Sequence, residues 1–172
     1  MKRRALLRAL FAAGAAAACG PAPVGADVPA NGAPLGFRFL ALGGRPDVSD
    51  ASLRGRAALV AFLATYDLAS QAQARFLSAL AARRKDLAYV AVVLEPPANV
   101  PLVIGFRDAL ALDFPVALAD AATIAGRGPF GEVNAVPTVV LLDADVRVVW
   151  RHVGLAREED LERAIVRALG SE

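Results

Sequence analysis

The run Ala58–Ala64, ALVAFLA, contains no polar side chain. It has the length of a strand, and a strand that is apolar on both sides has to be buried on both faces. Helical spacing follows at once. Ala72, Phe76 and Leu80 recur every four residues, while Gln71, Arg75, Arg83 and Arg84 are polar. A second apolar run, LAYVAVVLE, covers residues 87–95. A buried strand, a helix and a second buried strand in that order confine the chain to α/β architectures, in which helices cover a sheet.

The rest of the pattern extends this unit. Phe37–Leu42 reads as a short strand before a Gly43-Gly44 turn, and DVSDASLRG as a loop with Leu53 turned inward. PPANVP breaks the chain after the second buried strand. Val103–Leu112 reads as a helix and FPVALAD as a short strand. Thr138–Leu142 and Arg147–Val153 form a hairpin around Asp143-Ala144-Asp145. Arg157–Leu169 is a closing helix. Leu161, Ile165 and Leu169 are its apolar stripe, Glu158, Glu159 and Asp160 suit its positive end, and Gly170 stops it. The expected fold is an α/β sandwich with a mixed sheet, with no repeat and no second domain.

Charge is unevenly placed. Four of the 19 basic residues, Lys2, Arg3, Arg4 and Arg8, lie in the first 18 residues, which contain no acid; the remaining 15 face 17 acids, a net charge of −2. A domain of that sign with interspersed charges gives no case for nucleic-acid binding. The first residues, MKRRALLRALFAAGAAAACG, join a positive segment, a short apolar core and small residues in the order of a secretory signal. Cys19 follows the small residues, as in a bacterial lipobox, although Ala16 stands where leucine is usual. Residues 1–18 are therefore expected to be a lipoprotein-type signal, with ordinary secretory cleavage as the alternative. Lipidation at Cys19 would anchor the protein to a membrane, and the Gly20 that follows points to the outer one. Residues 19–34, rich in Gly, Pro and Ala, read as a tether, and residues 35–172 as the domain. No internal apolar run approaches the roughly 18 residues of a membrane span.

Cys19 is the single cysteine and His152 the single histidine. One cysteine excludes a CxxC motif and an intramolecular disulfide. One histidine without cysteine argues against a zinc or copper site, and no metal or cofactor is expected. Ser70 with His152 and an aspartate would suggest a hydrolase triad, but there is no nucleophile-elbow motif, and His152 reads as a solvated hairpin residue. Asp67 with Asp113 or Asp120 would suggest paired carboxylates, but no spacing brings them together. GRGPFG, residues 126–131, matches a dinucleotide-binding fingerprint to the letter but lacks the flanking strand and helix, and reads as a flexible loop.

Four stretches together resemble the membrane-anchored TlpA/ResA-type thiol–disulfide oxidoreductases of the thioredoxin-like superfamily. SDASLRGRAALVAFLATY is similar to that family's LSDLRGKVVLVNFWATWC, and NAVPTVVLLDADVRVVWRHVG to its GVPTTFLIDRDGRIVYRHVG. FRDALALDFPVALAD resembles the segment before its inserted strand, and AREEDLERAIVRAL its last helix. The resemblance covers roughly residues 35–169. It implies a thioredoxin-like three-layer sandwich, a central mixed sheet flanked by helices. It places Asp67 at the first active-site cysteine, Ser70 at the second, Tyr66 at the usual tryptophan and Pro137 at a cis-proline. It also implies a bacterial, periplasm-facing location.

Both active-site cysteines are thus absent. Disulfide exchange needs a thiolate to attack sulfur and a second thiol to resolve the mixed disulfide. A helix start that would activate a thiolate instead suits Asp67 as a cap. The expectation is a redox-inactive envelope lipoprotein, leaning away from an enzyme. It would bind a protein or peptide partner at a groove around Tyr66, Asp67, the Glu132–Asn134 loop, Val136 and Pro137, by strand addition. The alternatives are a relative with residual or partner-assisted oxidoreductase activity and a metal or small-ligand carrier.

Overall fold

The computed structural model describes residues 32–170. Cys19, the expected signal at 1–18 and the tether up to residue 31 lie outside the described residues. Ala58–Leu63 forms β3 and Ala88–Val93 forms β4, and every residue of both is buried. They run parallel, joined by α2, Leu68–Arg83. A second crossover through α3, Val100–Ala109, leads to β5, Val116–Leu118, parallel to β4. Then β6, Thr138–Leu142, turns back antiparallel beside β3, and β7, Val148–Val153, pairs with β6 at the edge. On the other side β1, Arg38–Ala41, pairs with β5, and β2, Val48–Ser49, with β1, both antiparallel. The mixed sheet has the order β2-β1-β5-β4-β3-β6-β7.

One face packs under α2, α3 and α5, Glu158–Leu169, through Leu77, Leu80, Val103, Phe106, Leu161 and Ile165. The ion pairs of Arg83 with Glu158 and Glu162 join α2 to α5 at their exposed side. The other face is covered by Phe37, by Leu53 of the short helix α1, Asp50–Leu53, and by Phe130 and Val133 from the loop before β6. Phe130 packs against the rings of Phe37 and Phe62 at 4.8 and 5.1 Å.

Several expectations change. DVSDASLRG is not all loop: it carries β2 and α1, because Ser49 and Ser52 each satisfy the other's backbone N–H. The PPANVP break is a 3-10 turn, Pro97–Asn99, leading straight into α3, which admits Pro101 in its first turn, where no N–H partner is needed. The buried line of α2 is Gln73, Ala74, Leu77 and Leu80; Ala72 and Phe76 are only half-buried. GRGPFG follows a short helix, α4, Ala121–Ile124, and is pinned by the buried Phe130 rather than left free. His152 lies on β7, but it is 6% exposed and stacks on Trp150, so it is a core residue and not a solvated one. Strand alternation puts the two rings on one face.

Candidate functional site

The carboxyl ends of β3 and β4 and the entry to β6 meet at one end of the sheet. After β3 the chain passes through Ala64, Thr65 and Tyr66 into α2. Asp67 is the N-cap residue, with extended backbone. Its Oδ2 accepts from the Ser70 N–H and from the Ser70 hydroxyl, both at 2.7 Å. The Ser70 Oγ in turn accepts from the Ala64 N–H at 3.2 Å, and Ser70 is fully buried. The positions that the resemblance matched to two cysteines therefore form one hydrogen-bonded pair. It closes the first turn of α2 and ties it to the end of β3.

A buried carboxylate supports the turn from behind. Glu95, 3% exposed, follows β4. Its Oε1 accepts from the Thr65 hydroxyl at 2.7 Å and the Thr65 N–H at 3.3 Å, and its Oε2 accepts from Asn99 Nδ2 at 2.6 Å. Burial by itself would push this carboxyl up, but the hydrogen bonds from Asn99 and Thr65 outweigh it and hold the group below the ordinary glutamate value. Gln71 adds a bond from Nε2 to the Thr65 carbonyl at 3.2 Å.

The third strand brings Pro137. Phe62 pairs with Thr138 across β3 and β6, so the next position in register sets Pro137 abreast of Leu63. The Val136–Pro137 peptide bond is cis. The Pro137 carbonyl accepts from the Gly154 N–H at 2.8 Å, and the Thr138 hydroxyl donates to the Ala135 carbonyl at 2.7 Å. Neither backbone group of Val136 has a partner among the described residues. Arg151 of β7 holds the preceding loop, donating to the Phe130 carbonyl at 2.8 Å and to the Glu132 carbonyl.

Around this edge stand exposed apolar side chains. Tyr66 is 80% and Leu68 79% exposed, and Val153 and Leu155 flank the Gly154 that bonds Pro137. The Ala156 N–H donates to Gln73 Oε1 at 2.8 Å, which ties the Leu155 loop to α2. The structure thus bonds Asp67 to Ser70 at the start of α2 and, through the β3–β6 register, sets Val136 and Pro137 beside the end of β3, from which the chain runs on to Tyr66. It does not assemble the other constellations. His152 faces Val139 in the β6–β7 register and has no bond to Ser70. Asp120 caps α4 through the Thr123 N–H, and Asp113 lines a cavity at the other end of the sheet. Among the described residues no group of three or more His, Cys, Asp or Glu is placed to hold a metal.

The sequence reading missed Glu95, Gln71, Gln73 and Arg151. Glu95 had a usable signal, a lone acid closing the apolar run 87–94. Gln73 had none, since its partner Ala156 lies 83 residues away.

Neither a protein-family model nor a curated protein matches the chain. Solved structures do. The chain has a thioredoxin-like fold. It superposes on a DsbF homologue from Corynebacterium diphtheriae with a TM-score of 0.72 at 15% identity, over 85% of this chain and 94% of that one. A secreted Mycobacterium tuberculosis disulfide oxidoreductase homologous to Escherichia coli DsbE gives 0.62 at 21% identity, covering 76% and 95%. A thioredoxin-family thiol:disulfide interchange protein from Chlorobium tepidum gives 0.64 at 24%, covering 80% and 96%. At such identities the likeness shows the fold. Among the described residues no helix is long and apolar enough to cross a membrane.

Proposed function

We propose that this chain is a thiol-free relative of the TlpA/ResA-type oxidoreductases, a redox-inactive envelope lipoprotein that binds an extended peptide segment of a protein partner. The observation that carries the reading is the Asp67–Ser70 pair. Residues 20–172 contain no cysteine, and the helix start that would stabilise a thiolate instead holds a carboxylate bonded to a serine. The frame is kept and the exchanging atoms are not.

Binding is supported by what surrounds the pair. Val136 offers a backbone N–H and C=O without partners, as strand addition requires. Tyr66, Leu68 and Leu155 supply apolar contacts on either side, and tyrosine is enriched at interface hot spots. The partner is thus an extended segment with apolar side chains. Cys19, after its run of small residues, would carry the lipid that keeps the domain at the periplasmic face of a membrane.

Photo-crosslinking from residue 66 in intact envelopes, followed by pull-down, tests the binding edge. With the probe moved to the neighbouring exposed Leu68, Tyr66→Ala and Val136→Asp should each abolish the crosslinked band while circular dichroism stays unchanged. Unchanged crosslinking from a probe elsewhere on the surface in both variants would move the partner away from this edge. Mass spectrometry of the mature N-terminus tests the anchor: an unmodified Cys19, or a start at another residue, removes that part of the reading.

A further inference from the structure

A second concavity lies at the opposite end of the sheet. β3 is six residues long, so its two ends stand roughly 17 Å apart at about 3.3 Å per residue. The cavity, about 490 Å³, opens where β4 begins, between the β2–α1 segment, the last turns of α2 and the chain entering β5. That volume is within the range of small-molecule sites, about 300–1,000 Å³. It shares none of the side chains that frame Tyr66 and Pro137.

Its lining is amphipathic. Leu53, Leu87, Phe114 and Pro115 give an apolar wall, and Ser78 of α2 lines the same space. Charged groups line the rim. Two of them are already engaged: Arg84 holds Asp86 through two bonds of 2.9 and 2.7 Å, and Asp47 holds Arg38 at 2.9 Å. Arg56 and Lys85 also line the cavity, and neither has a side-chain hydrogen bond or ion pair among the described residues. One acid, Asp113, shares the rim and has no side-chain partner among the described residues. The unpaired charge is two cations against one carboxylate.

We infer that this cavity is a binding site for a small amphipathic monoanion, a ligand with an aliphatic or aromatic body and one carboxylate or sulfonate head. The body takes the Leu53–Leu87–Phe114 wall, where it loses contact with water. The head takes Arg56 and Lys85: a guanidinium forks a carboxylate or sulfonate, and the ammonium adds a point charge. Asp113 sets the limit on charge, since a dianion would bring excess negative charge beside it. The site is independent of the peptide edge and stands or falls without it.

Titration of the full chain with decanoate, followed by backbone amide shifts in NMR, tests the site, with anilinonaphthalene sulfonate as a fluorescent second probe. Saturable one-to-one binding is expected, with the largest shifts at Leu53, Lys85, Leu87 and Phe114 and none at Tyr66. The Arg56→Gln, Lys85→Gln double variant should weaken both probes by about tenfold or more, and its exposed positions leave the core intact. Ser78→Trp, which fills the cavity, should remove binding. Decanol, with the same body and no charge, should bind far more weakly. Equal binding of decanol and decanoate, full affinity in the double variant, shifts centred on Tyr66 and Leu68, or no saturation with either probe would each overturn the assignment.

Discussion

The Ser70 hydroxyl donates to Asp67 Oδ2 at 2.7 Å and accepts from the Ala64 N–H at 3.2 Å. This one hydroxyl therefore joins the cap of α2 to the end of β3 inside a fully buried position. Asp67 satisfies one of the orphan N–H groups of the helix start, and its negative charge sits at the positive end of the helix dipole. The same field would stabilise a thiolate placed at this position. Here it stabilises a fixed carboxylate, so the local electrostatics serve the fold.

Loss of that cap has a defined cost. Asp67→Ala should destabilise the domain by about 1 kcal/mol, within the roughly 0.5–2 kcal/mol of N-cap deletions. The buried Ser70 hydroxyl also loses its acceptor, which keeps the cost off the low end of that range. Asp67→Asn keeps an oxygen for the Ser70 N–H and should cost much less. Urea melts of the three proteins check the order. A neutral Asp67→Ala would disprove the role of the cap.

Redox chemistry should be absent and recoverable. Insulin reduction by dithiothreitol should proceed at its uncatalysed rate with the native protein, since no sulfur nucleophile lies beyond residue 19. Replacing Asp67 and Ser70 together by cysteine puts both thiols at the start of α2, where the dipole lowers a thiol's pKa. That double variant should form a reducible intramolecular disulfide, read by alkylation mass shift. Turnover by the native protein, removed by Ser70→Ala, would overturn the redox-inactive reading.

Glu95 makes stability depend on pH in a predictable direction. Its folded-state pKa is lowered, so its bonds to Thr65 and Asn99 contribute fully above the unfolded value, near 4.3, and are lost as pH falls through the lower folded value. Glu95→Gln presents an amide N–H₂ where one carboxylate oxygen accepts from Thr65 or Asn99. It should cost roughly 1.5–3 kcal/mol at pH 7, as for hydrogen bonds to a charged group. The gap between native and variant should narrow as the pH is lowered below about 4. Melts at pH 7 and pH 3 check this. A gap that widens in acid would mean that the carboxyl is raised, with burial outweighing its hydrogen bonds.

The architecture was readable wherever one local pattern decided it. β3, β4, the β6–β7 hairpin and α5 all followed from apolar runs or a helical stripe. What escaped was decided across the chain. Gln73 takes a core seat because the Ala156 N–H needs an acceptor there, and this shifts the buried line of α2 away from Ala72 and Phe76. β2 and α1 escaped because two serines, Ser49 and Ser52, do the work of a hydrophobic pattern. At the site, Asp67 as a cap and its meeting with Tyr66 and Pro137 were expected from the sequence together with the resemblance. The Glu95 support and the Arg151 clamp were not, because Thr65 lies 30 residues from Glu95 and the partners of Arg151 are backbone carbonyls that carry no sequence signature.

Arg151 governs the loop before Pro137. Its guanidinium holds the carbonyls of Phe130 and Glu132 at once, and Phe130 is seated among the rings of Phe37 and Phe62. Burial lowers the Arg151 pKa, but the group remains a cation at any working pH. Arg151→Lys keeps the charge and loses the fork, so a single ammonium replaces the two nitrogens that hold the two carbonyls. The variant should lose about 1 kcal/mol, the net worth of a hydrogen bond, and hydrogen exchange should rise at Gly131, Glu132 and Val133 while β3 and β4 stay protected. The Phe130→Ala change removes the apolar anchor instead and should cost more, about 3–5 kcal/mol. If the loop forms part of the peptide edge, Arg151→Lys should also weaken crosslinking from residue 66 without altering the sheet. Unchanged exchange at 131–133 would show that Phe130 alone holds the loop and that the two Arg151 bonds are incidental.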